Sequence, residues 1–193
     1  MHKLTRNDLF TLEAYASERN AFRSRVLAHK RVRRVALGAH VTLLFEDRLT
    51  LQYQVQEMLR IERIFEAAGI EEELAAYNPL VPDGSNLKAT MLIEYDDAGQ
   101  RKHELEKLRG IEDCISVRVD GHAAVRAVAD EDIPRSNESK TSAVHFLRFE
   151  FTPPMIDGLR SGARLTFACE HAHCALQAEA PPDVRTALIA DFD

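Results

Sequence analysis

The 193-residue sequence contains no tryptophan, three cysteines, eight glycines and seven prolines. Together with 45% hydrophobic and 29% charged residues, this composition is typical of a globular chain and argues against extensive disorder. No apolar run approaches the roughly 18 residues that a bilayer-spanning helix needs, and the N-terminus lacks an apolar signal-peptide core. Because the number of cysteines is odd, the sequence does not predict a complete disulfide framework. In a chain of this length, that indicates a reducing compartment. We therefore expect a cytoplasmic protein with no membrane contact.

Familiar catalytic and nucleotide-binding motifs are also missing. The sequence has no GxGxxG, GxxxxGK[ST], HExxH or GxSxG pattern, so nucleotide-binding, zincin and hydrolase functions lack support. The absence of tryptophan and the few aromatic residues among the basic ones argue against nucleic acid as a partner.

The order of the predicted elements indicates the fold class. Hydrophobic spacing predicts helices at 8–34, 51–68 and 71–77, followed by a series of strands. The strands are predicted at 41–46, 88–95, 115–119, 123–128, 143–151, 164–170 and 174–179. The helices come mainly first and the antiparallel strands mainly later. This order favours an α+β fold, with N-terminal helices packed on a mainly antiparallel sheet. We expect a single domain over residues 1–193, with the loop at 79–86 as the best place for a subdivision.

A basic segment is the main asymmetry of charge. The net charge is −6, yet residues 19–34 carry seven cations and no acid. This segment can pair with the acidic stretch at 57–73, or it can bind an anionic ligand, an acidic protein partner or a nucleic acid. We expect Arg31, Arg33 and Arg34 to form the surface that binds an anion or a partner.

Glu62 is a charged residue that helical spacing places among apolar ones. The residues that share its helix face are Leu51, Val55, Met58, Leu59 and Phe65. A buried carboxylate must be neutralised, paired or bound to a metal, because an unpaired buried charge is strongly unfavourable. Arg19 and Arg23 lie on the apolar side of the first helix and are its expected ion-pair partners. The alternatives are a functional carboxylate, as ligand or base, and an exposed position at the helix edge.

His145 lies on the apolar face of a predicted strand. Alternation over 143–151 places it with Leu147, Phe149 and Phe151 on one side. A histidine in such a position is most often a hydrogen-bonded core residue. A role as metal ligand or proton-transfer group is the alternative, because imidazole titrates near neutrality and is the commonest metal-binding side chain.

The segment from Cys169 to Cys174, Cys-Glu-His-Ala-His-Cys, is the densest group of potential metal ligands. On a strand, residues two apart share a face and span roughly 7 Å, but three in line span roughly 13 Å. That exceeds what one zinc ion with bonds of about 2.0–2.3 Å can bridge. A turn within the segment would relax that limit. The spacing favours an incidental histidine- and cysteine-rich strand end over a metal site.

Two blocks of sequence are distinctive: Glu-Met-Leu-Arg-Ile-Glu at 57–62 and His-Phe-Leu-Arg-Phe at 145–149. Four shorter segments accompany them, at 31–38, 43–46, 77–82 and 89–94. In this order they resemble a bacterial family known as domain of unknown function 3501, and the resemblance covers residues 4 to 191. It implies gene neighbours of the rubrerythrin and iron–sulfur oxidoreductase types, hence a redox or metal-stress setting. It implies no catalytic residues.

Two functions of different classes follow. The first is a non-catalytic cytoplasmic accessory protein whose basic segment binds a redox partner (an iron–sulfur or di-iron protein) or an anionic ligand. The second is a metal-binding protein or metalloenzyme with a glutamate and histidine cluster and a divalent metal as cofactor. Its expected ligands are Glu62, His145 and His171, with further candidates at Glu46, Glu57 and Glu94.

Overall fold

The computed structural model describes residues 2–192. The first part of the chain is mainly helical, with α1 at Leu12–Arg31, α2 at Arg48–Glu62 and α3 at Ala67–Tyr77. Three shorter helices follow: α4 at Ala98–Lys107, α5 at Pro153–Arg160 and α6 at Pro182–Ile189. None of the described helices combines the length and the apolar character needed to cross a bilayer.

The strands of residues 2–192 form two antiparallel sheets. The five-stranded sheet has the order β1-β2-β3-β7-β6, and the four-stranded sheet has the order β5-β4-β8-β9. The strands are β1 Arg34–Leu37, β2 Val41–Glu46, β3 Asn86–Ile93, β4 Ile115–Val119, β5 Val125–Arg126, β6 Val128–Ala129, β7 Val144–Glu150, β8 Leu165–His171 and β9 Cys174–Glu179. This architecture confirms the α+β class with helices first and antiparallel strands later.

The main core lies between the two sheets. Its centre is a cluster of phenylalanine rings, in which Phe45 of β2 and Phe149 of β7 lie 5.0 and 5.7 Å from Phe167 of β8. The chain passes from one sheet to the other at 125–129, because β5 pairs with β4 and β6 pairs with β7. The five-stranded sheet meets the helical layer through α2, which contacts β2, and α1 and α3 pack against α2. Alternate side chains of β7 therefore face the inter-sheet core and the helical layer.

The helix boundaries differ from the sequence prediction at both ends. The predicted start at residue 8 is wrong, because Thr5 and Asp8 form a capping box around a short 3-10 turn and Thr11 caps α1, which begins at Leu12. The helix then ends at Arg31, and the predicted extension to residue 34 is wrong because β1 begins there. The second helix is capped by Asp47 and ends at Glu62, where Arg63 takes a left-handed conformation with φ of 56°.

Arg33 is buried in a cluster of charges that ties α1 and β2 to the C-terminal residues. Its guanidinium donates to the carboxylate of Asp191, and it lies 3.5 Å from the carboxylate of Asp47. It also donates to the backbone carbonyl of Phe45 at 3.1 Å, and only 2% of it is exposed. The prediction that Arg33 belongs to an exposed binding surface is wrong, because its charge is used inside the fold.

Replacement of Arg33 by methionine will destabilise the protein strongly. Arg33→Met leaves two buried carboxylates without their shared cation, and we expect a loss of about 3–5 kcal/mol in the free energy of unfolding. Urea denaturation at pH 7 measures it. The control is Arg34→Met, because the neighbouring guanidinium is 56% exposed and its loss should change stability by no more than about 0.5 kcal/mol. Equal losses in the two variants would contradict the buried cluster.

Candidate functional site

His145 is fully buried on the inward face of β7, at 0% exposure. Leu147 and Phe149 follow on the same face, as the alternation of the sequence predicts. Phe146 and Arg148 point to the opposite face. Cross-strand pairing places His145 opposite Met91 of β3, so the imidazole enters an apolar surrounding and needs polar partners there.

Two carboxylates reach the imidazole from separate parts of the chain. Glu112 lies in the 3-10 turn Ile111–Cys114 before β4 and is 7% exposed. Asp130 follows β6 and has a φ of 48°, an uncommon conformation for a residue other than glycine. Two hydrogen bonds with Phe146 hold Asp130 in this conformation. The amide of Asp130 donates to the carbonyl of Phe146 at 2.8 Å, and the carboxylate of Asp130 accepts from the amide of Phe146 at 2.9 Å.

Five residues form the site that is called the His145 site below: His145, Asp130, Glu112, Thr141 and Ser136. Their polar atoms lie in a chain of short distances. The Nδ1 of His145 lies 2.6 Å from Oδ2 of Asp130. On the other side of the ring, Nε2 lies 2.8 Å from Oγ1 of Thr141 and 3.9 Å from Oε2 of Glu112. The hydroxyl of Thr141 donates to Glu112 at 3.2 Å, and the hydroxyl of Ser136 donates to the same carboxylate. Each end of the imidazole therefore faces an acid.

The arrangement suits either a metal ion or a proton. One ligand atom each from Glu112, Asp130 and His145 can be chosen so that all lie within 4.8 Å of one another. When Nδ1 donates to the carboxylate of Asp130, a neutral imidazole has its Nε2 lone pair on the side of Glu112 and Thr141, where the carbonyl oxygen of Ser142 also lies 3.1 Å from Nε2. A carboxylate behind a histidine is the arrangement that orients metal-binding imidazoles in proteins.

The structure does not bring together the three metal ligands predicted from the sequence. His145 belongs to the site, but His171 ends β8 in the other sheet, where its Nε2 lies 3.1 Å from the carbonyl of Arg109. Glu62 is exposed at the end of α2. The predicted ligand set of His145, His171 and Glu62 is therefore wrong.

The three further glutamates also lie outside the site. Glu46 is buried, but its carboxylate accepts hydrogen bonds from Thr50 at 2.6 Å and from Thr90 at 2.8 Å. Glu94 is exposed, 4.0 Å from the guanidinium of Arg34. Glu57 faces α1. Each of the three has partners of its own, and none of them reaches His145.

The ion pair predicted for Glu62 forms instead at Glu57, and it is partly exposed rather than buried. Arg19 makes two hydrogen bonds of 2.8 Å to the Glu57 carboxylate, and the hydroxyl of Tyr15 adds a third at 2.6 Å. The guanidinium of Arg19 is the main reason that the pKa of Glu57 is lowered to about 2. Arg23 and Glu62 are both exposed, and Glu62 is the last residue of α2.

The cysteine segment forms the hairpin of β8 and β9, with His171 paired opposite Cys174. All three cysteines are free thiols. Burial raises the pKa of Cys169 to about 12 and also raises the pKa of Cys174. A metal is bound by the thiolate, so raised pKa values oppose a site here.

Sequence patterns located one of the residues of this site and missed the others. Alternation placed His145 inward, but nothing local marks Glu112, which lies in a short 3-10 turn. Asp130, Ser136 and Thr141 fall in a polar stretch that the sequence predicts as a loop. Only tertiary packing brings these residues to the imidazole.

The fold and the His145 site together define an α+β protein with two antiparallel sheets and a buried histidine–carboxylate cluster. The chain belongs to the family described as "Protein of unknown function (DUF3501)", whose match spans residues 3–192 and confirms the resemblance seen in the sequence. A crystal structure from Burkholderia pseudomallei, described as a novel protein of unknown function, is similar over 100% of both chains, with 52% identity and a TM-score of 0.94. No curated protein matches the chain.

Glu57 contributes stability that depends on pH. Its pKa is about 2 in the folded protein, against 4.5 for an ordinary glutamate, so the contribution is complete above pH 4.5 and is lost as the pH falls through 2. We expect Glu57→Gln to lower the free energy of unfolding by about 1–2 kcal/mol at pH 7, allowing for partial exposure of the pair. The difference from the native protein should shrink below pH 4.5, as chemical denaturation at several pH values will show.

Glu62→Gln is the matched control on the same helix. Because the Glu62 side chain is exposed, its replacement should change stability by no more than about 0.5 kcal/mol. If Glu62→Gln lowered the free energy of unfolding more than Glu57→Gln does, the ion pair would lie at Glu62, as the sequence predicts, and not at Glu57.

Proposed function

We propose that this protein binds one divalent metal ion between His145 and Glu112, with Asp130 orienting the imidazole. The observation that carries the proposal is a fully buried histidine with one carboxylate bonded behind its ring and a second in front of it. This is a more specific form of the metal-binding function derived from the sequence, with Glu112 and Asp130 in place of His171 and Glu62.

The distances fit an ion with nitrogen and oxygen ligands. Bonds from zinc to histidine and to carboxylate are about 2.0–2.2 Å, so two of them span the 3.9 Å between Nε2 of His145 and Oε2 of Glu112 at an angle wider than the tetrahedral one, and a small movement of either side chain brings the angle closer to tetrahedral. The hydroxyl of Thr141 lies close to both atoms and can supply a third ligand. An imidazole with carboxylates suits Zn²⁺, Mn²⁺ or Fe²⁺ better than a soft ion such as Cu⁺.

The competing explanation is a metal-free hydrogen-bond network. In that case Thr141 and Ser136 satisfy Glu112, and the cluster only fastens the segment at 130–142 to β7. The two explanations differ in one measurable respect. A metal ion that binds the folded protein raises its stability, whereas a closed network gains nothing from added metal.

The metal-binding experiment uses the untagged protein, stripped with a chelator and titrated separately with Zn²⁺ and Mn²⁺. We expect one ion per chain by calorimetry and a rise in melting temperature with metal concentration. Asp130→Asn should weaken binding by about 10–100-fold, because it disturbs the orientation of His145. Glu112→Gln, which removes a ligand, should weaken it at least as much.

The matched controls are His171→Gln and Glu62→Gln, which should bind metal as the native protein does. Both lie outside the His145 site, although the sequence predicts them as ligands. Absence of stoichiometric binding would reject the proposal, as would loss of binding in His171→Gln but not in Glu112→Gln.

We propose, as a second function, that the basic surface of α1 and β1 binds an acidic redox partner. Arg33 is buried and Arg19 is paired with Glu57, but Arg23, Arg25, Arg31 and Arg34 remain exposed. Opposite charge at such a surface accelerates association and weakens as salt is added. The partner class, an iron–sulfur or rubrerythrin-type protein, rests on the gene neighbours that the family resemblance implies.

Charge reversal tests the second function. The double variant Arg31→Glu with Arg34→Glu should reduce capture of the iron–sulfur or rubrerythrin-type protein encoded beside the gene. The control reverses two exposed cations elsewhere, Lys102→Glu with Arg118→Glu, and gives the same change in net charge. Equal capture by both variants, or capture insensitive to salt, would contradict a role for the basic surface.

A further inference from the structure

The side chains of the His145 site are almost completely shielded from solvent. The exposed fraction is 0% for His145, 1% for Thr141 and 7% for Glu112. Strands β3 and β7 are paired along their length, so they cannot separate there without loss of the sheet. An ion from solution can therefore reach Nε2 of His145 only if another part of the surrounding chain moves away, and the part that is held least firmly moves first.

Residues 131–140, called the lid below, are the part of the chain around this site that is held least firmly. The lid contains no helix or strand, and eight of its ten residues are exposed. Its largest apolar side chain, Ile133, is 59% exposed and therefore contributes little packing. Among the described residues, its one backbone–backbone hydrogen bond joins Asn137 to Lys140 at 3.0 Å, within the lid itself. The lid can therefore open without breaking the sheet or a helix.

Both ends of the lid are anchored to the rest of the fold. Asp130, the residue before the lid, exchanges two hydrogen bonds with Phe146. Thr141, the residue after the lid, donates its amide to the carbonyl of Leu105 at 3.0 Å. These anchors do not involve residues of the lid, so they hold while it moves. A free middle between two fixed ends is the arrangement of a loop that opens and closes over a site.

Two partly buried residues, Arg135 and Ser136, fasten the lid to the site. The guanidinium of Arg135 donates to the carboxylate of Asp130 at 3.3 Å and lies 4.4 Å from the centre of the Phe146 ring. The hydroxyl of Ser136 donates to the carboxylate of Glu112. Arg135 makes the stronger attachment, because its donor is charged and its position over the ring adds a cation–π attraction.

The other contacts of the lid with the rest of the protein lie at the surface. Arg148 makes two hydrogen bonds of 2.7 Å to Glu131, whose side chain is 51% exposed. Arg109 donates to the backbone carbonyl of Glu138. Exposed contacts of this kind contribute little, because water replaces them readily. Arg135 is therefore the residue whose contacts decide how firmly the lid is closed.

A cleft between the helical layer and the five-stranded sheet lies beside the lid. Its volume is about 400 Å³, and its lining includes Glu131 and Asp132 of the lid, Phe146 of β7 and Tyr77 of α3. The cleft does not lead to the buried imidazole, because β7 turns His145 toward the core and Phe146 toward the cleft. It is open space, so it gives the first residues of the lid room to move outward.

We propose that the lid opens to admit an ion to the His145 site, and that Arg135 is its clasp. When the guanidinium leaves Asp130, the lid can move outward and take Ser136 away from Glu112. Nε2 of His145 and the carboxylate of Glu112 then face water together, while Asp130 keeps its bond to Nδ1. As a statement about metal entry the inference rests on the proposed function, but the opening itself requires no metal.

Chemical modification of His145 in the metal-free protein measures the opening. Diethyl pyrocarbonate acylates accessible neutral imidazoles, and peptide mass spectrometry gives the rate at each histidine. In the native protein we expect His145 to react at least about 100-fold more slowly than the exposed His103. Arg135→Met removes the charge that bonds Asp130 and keeps an apolar side chain in its place. It should raise the rate at His145 about tenfold.

Two controls accompany this measurement. Arg164→Met removes an exposed guanidinium that is paired with Asp120, outside the lid and the His145 site, and should leave the rate at His145 unchanged. The thiol of Cys169 reports global unfolding, because it is 2% exposed in the four-stranded sheet. Its reaction with N-ethylmaleimide should be equally slow in Arg135→Met and in the native protein.

The kinetics of zinc exchange form a separate measurement. With a fluorescent chelator as competitor, Arg135→Met should both bind and release Zn²⁺ about tenfold faster than the native protein, because one opening serves entry and exit. The dissociation constant should change less than either rate. If the native protein binds no zinc while Arg135→Met exposes His145, the lid is supported and the proposed function fails.

Three outcomes overturn the inference. A native His145 that reacts as fast as His103 would show that the site is already open. A rate at His145 that Arg135→Met leaves unchanged would show that this residue is not the clasp. An equal acceleration at Cys169 would show that the variant unfolds globally and that no local opening occurs.

Discussion

The contact between Nδ1 of His145 and the carboxylate of Asp130 is the interaction on which the site depends. It satisfies a fully buried imidazole that the alternation of β7 turns into the core. It also requires Asp130 to keep a left-handed backbone, which the two bonds to Phe146 maintain. Strained residues of this kind persist only where the surroundings hold them, and they are found most often at functional sites.

The two faces of β7 connect the His145 site with the cleft. His145 points inward, and its neighbour Phe146 points outward. Arg135 bridges the two sides, since its guanidinium lies 4.4 Å from the centre of the Phe146 ring and bonds to Asp130 at 3.3 Å. Glu131 and Asp132, the residues after Asp130, line the cleft. The segment that closes the buried site therefore also forms one border of the open cleft.

Local patterns were sufficient to predict the fold class and the inward position of His145. Both depend on alternation and on the order of elements, which the sequence displays directly. Glu62 was misplaced because the end of α2 depends on the left-handed turn at Arg63, and no glycine marks that turn. The partner of Arg19 depends on how α1 crosses α2, so the choice of Glu57 over Glu62 required the tertiary structure.

The site itself could be predicted only in part, for a related reason. Glu112 and Asp130 precede His145 by 33 and 15 positions, and neither lies on a long element whose periodicity would reveal its direction. Arg33 is a second case in which the local sequence does not reveal the environment of a residue. It stands in a run of cations that resembles a surface patch, yet it is enclosed because β1 begins immediately after it.

An anomalous difference map, recorded at the zinc absorption edge from crystals grown with Zn²⁺, would locate a metal ion in the His145 site without ambiguity. We expect one peak bonded to Nε2 of His145 and to the carboxylate of Glu112, with Asp130 still hydrogen-bonded to Nδ1. A map with no peak there, or with its only peak at His171 and Cys174, would contradict this expectation.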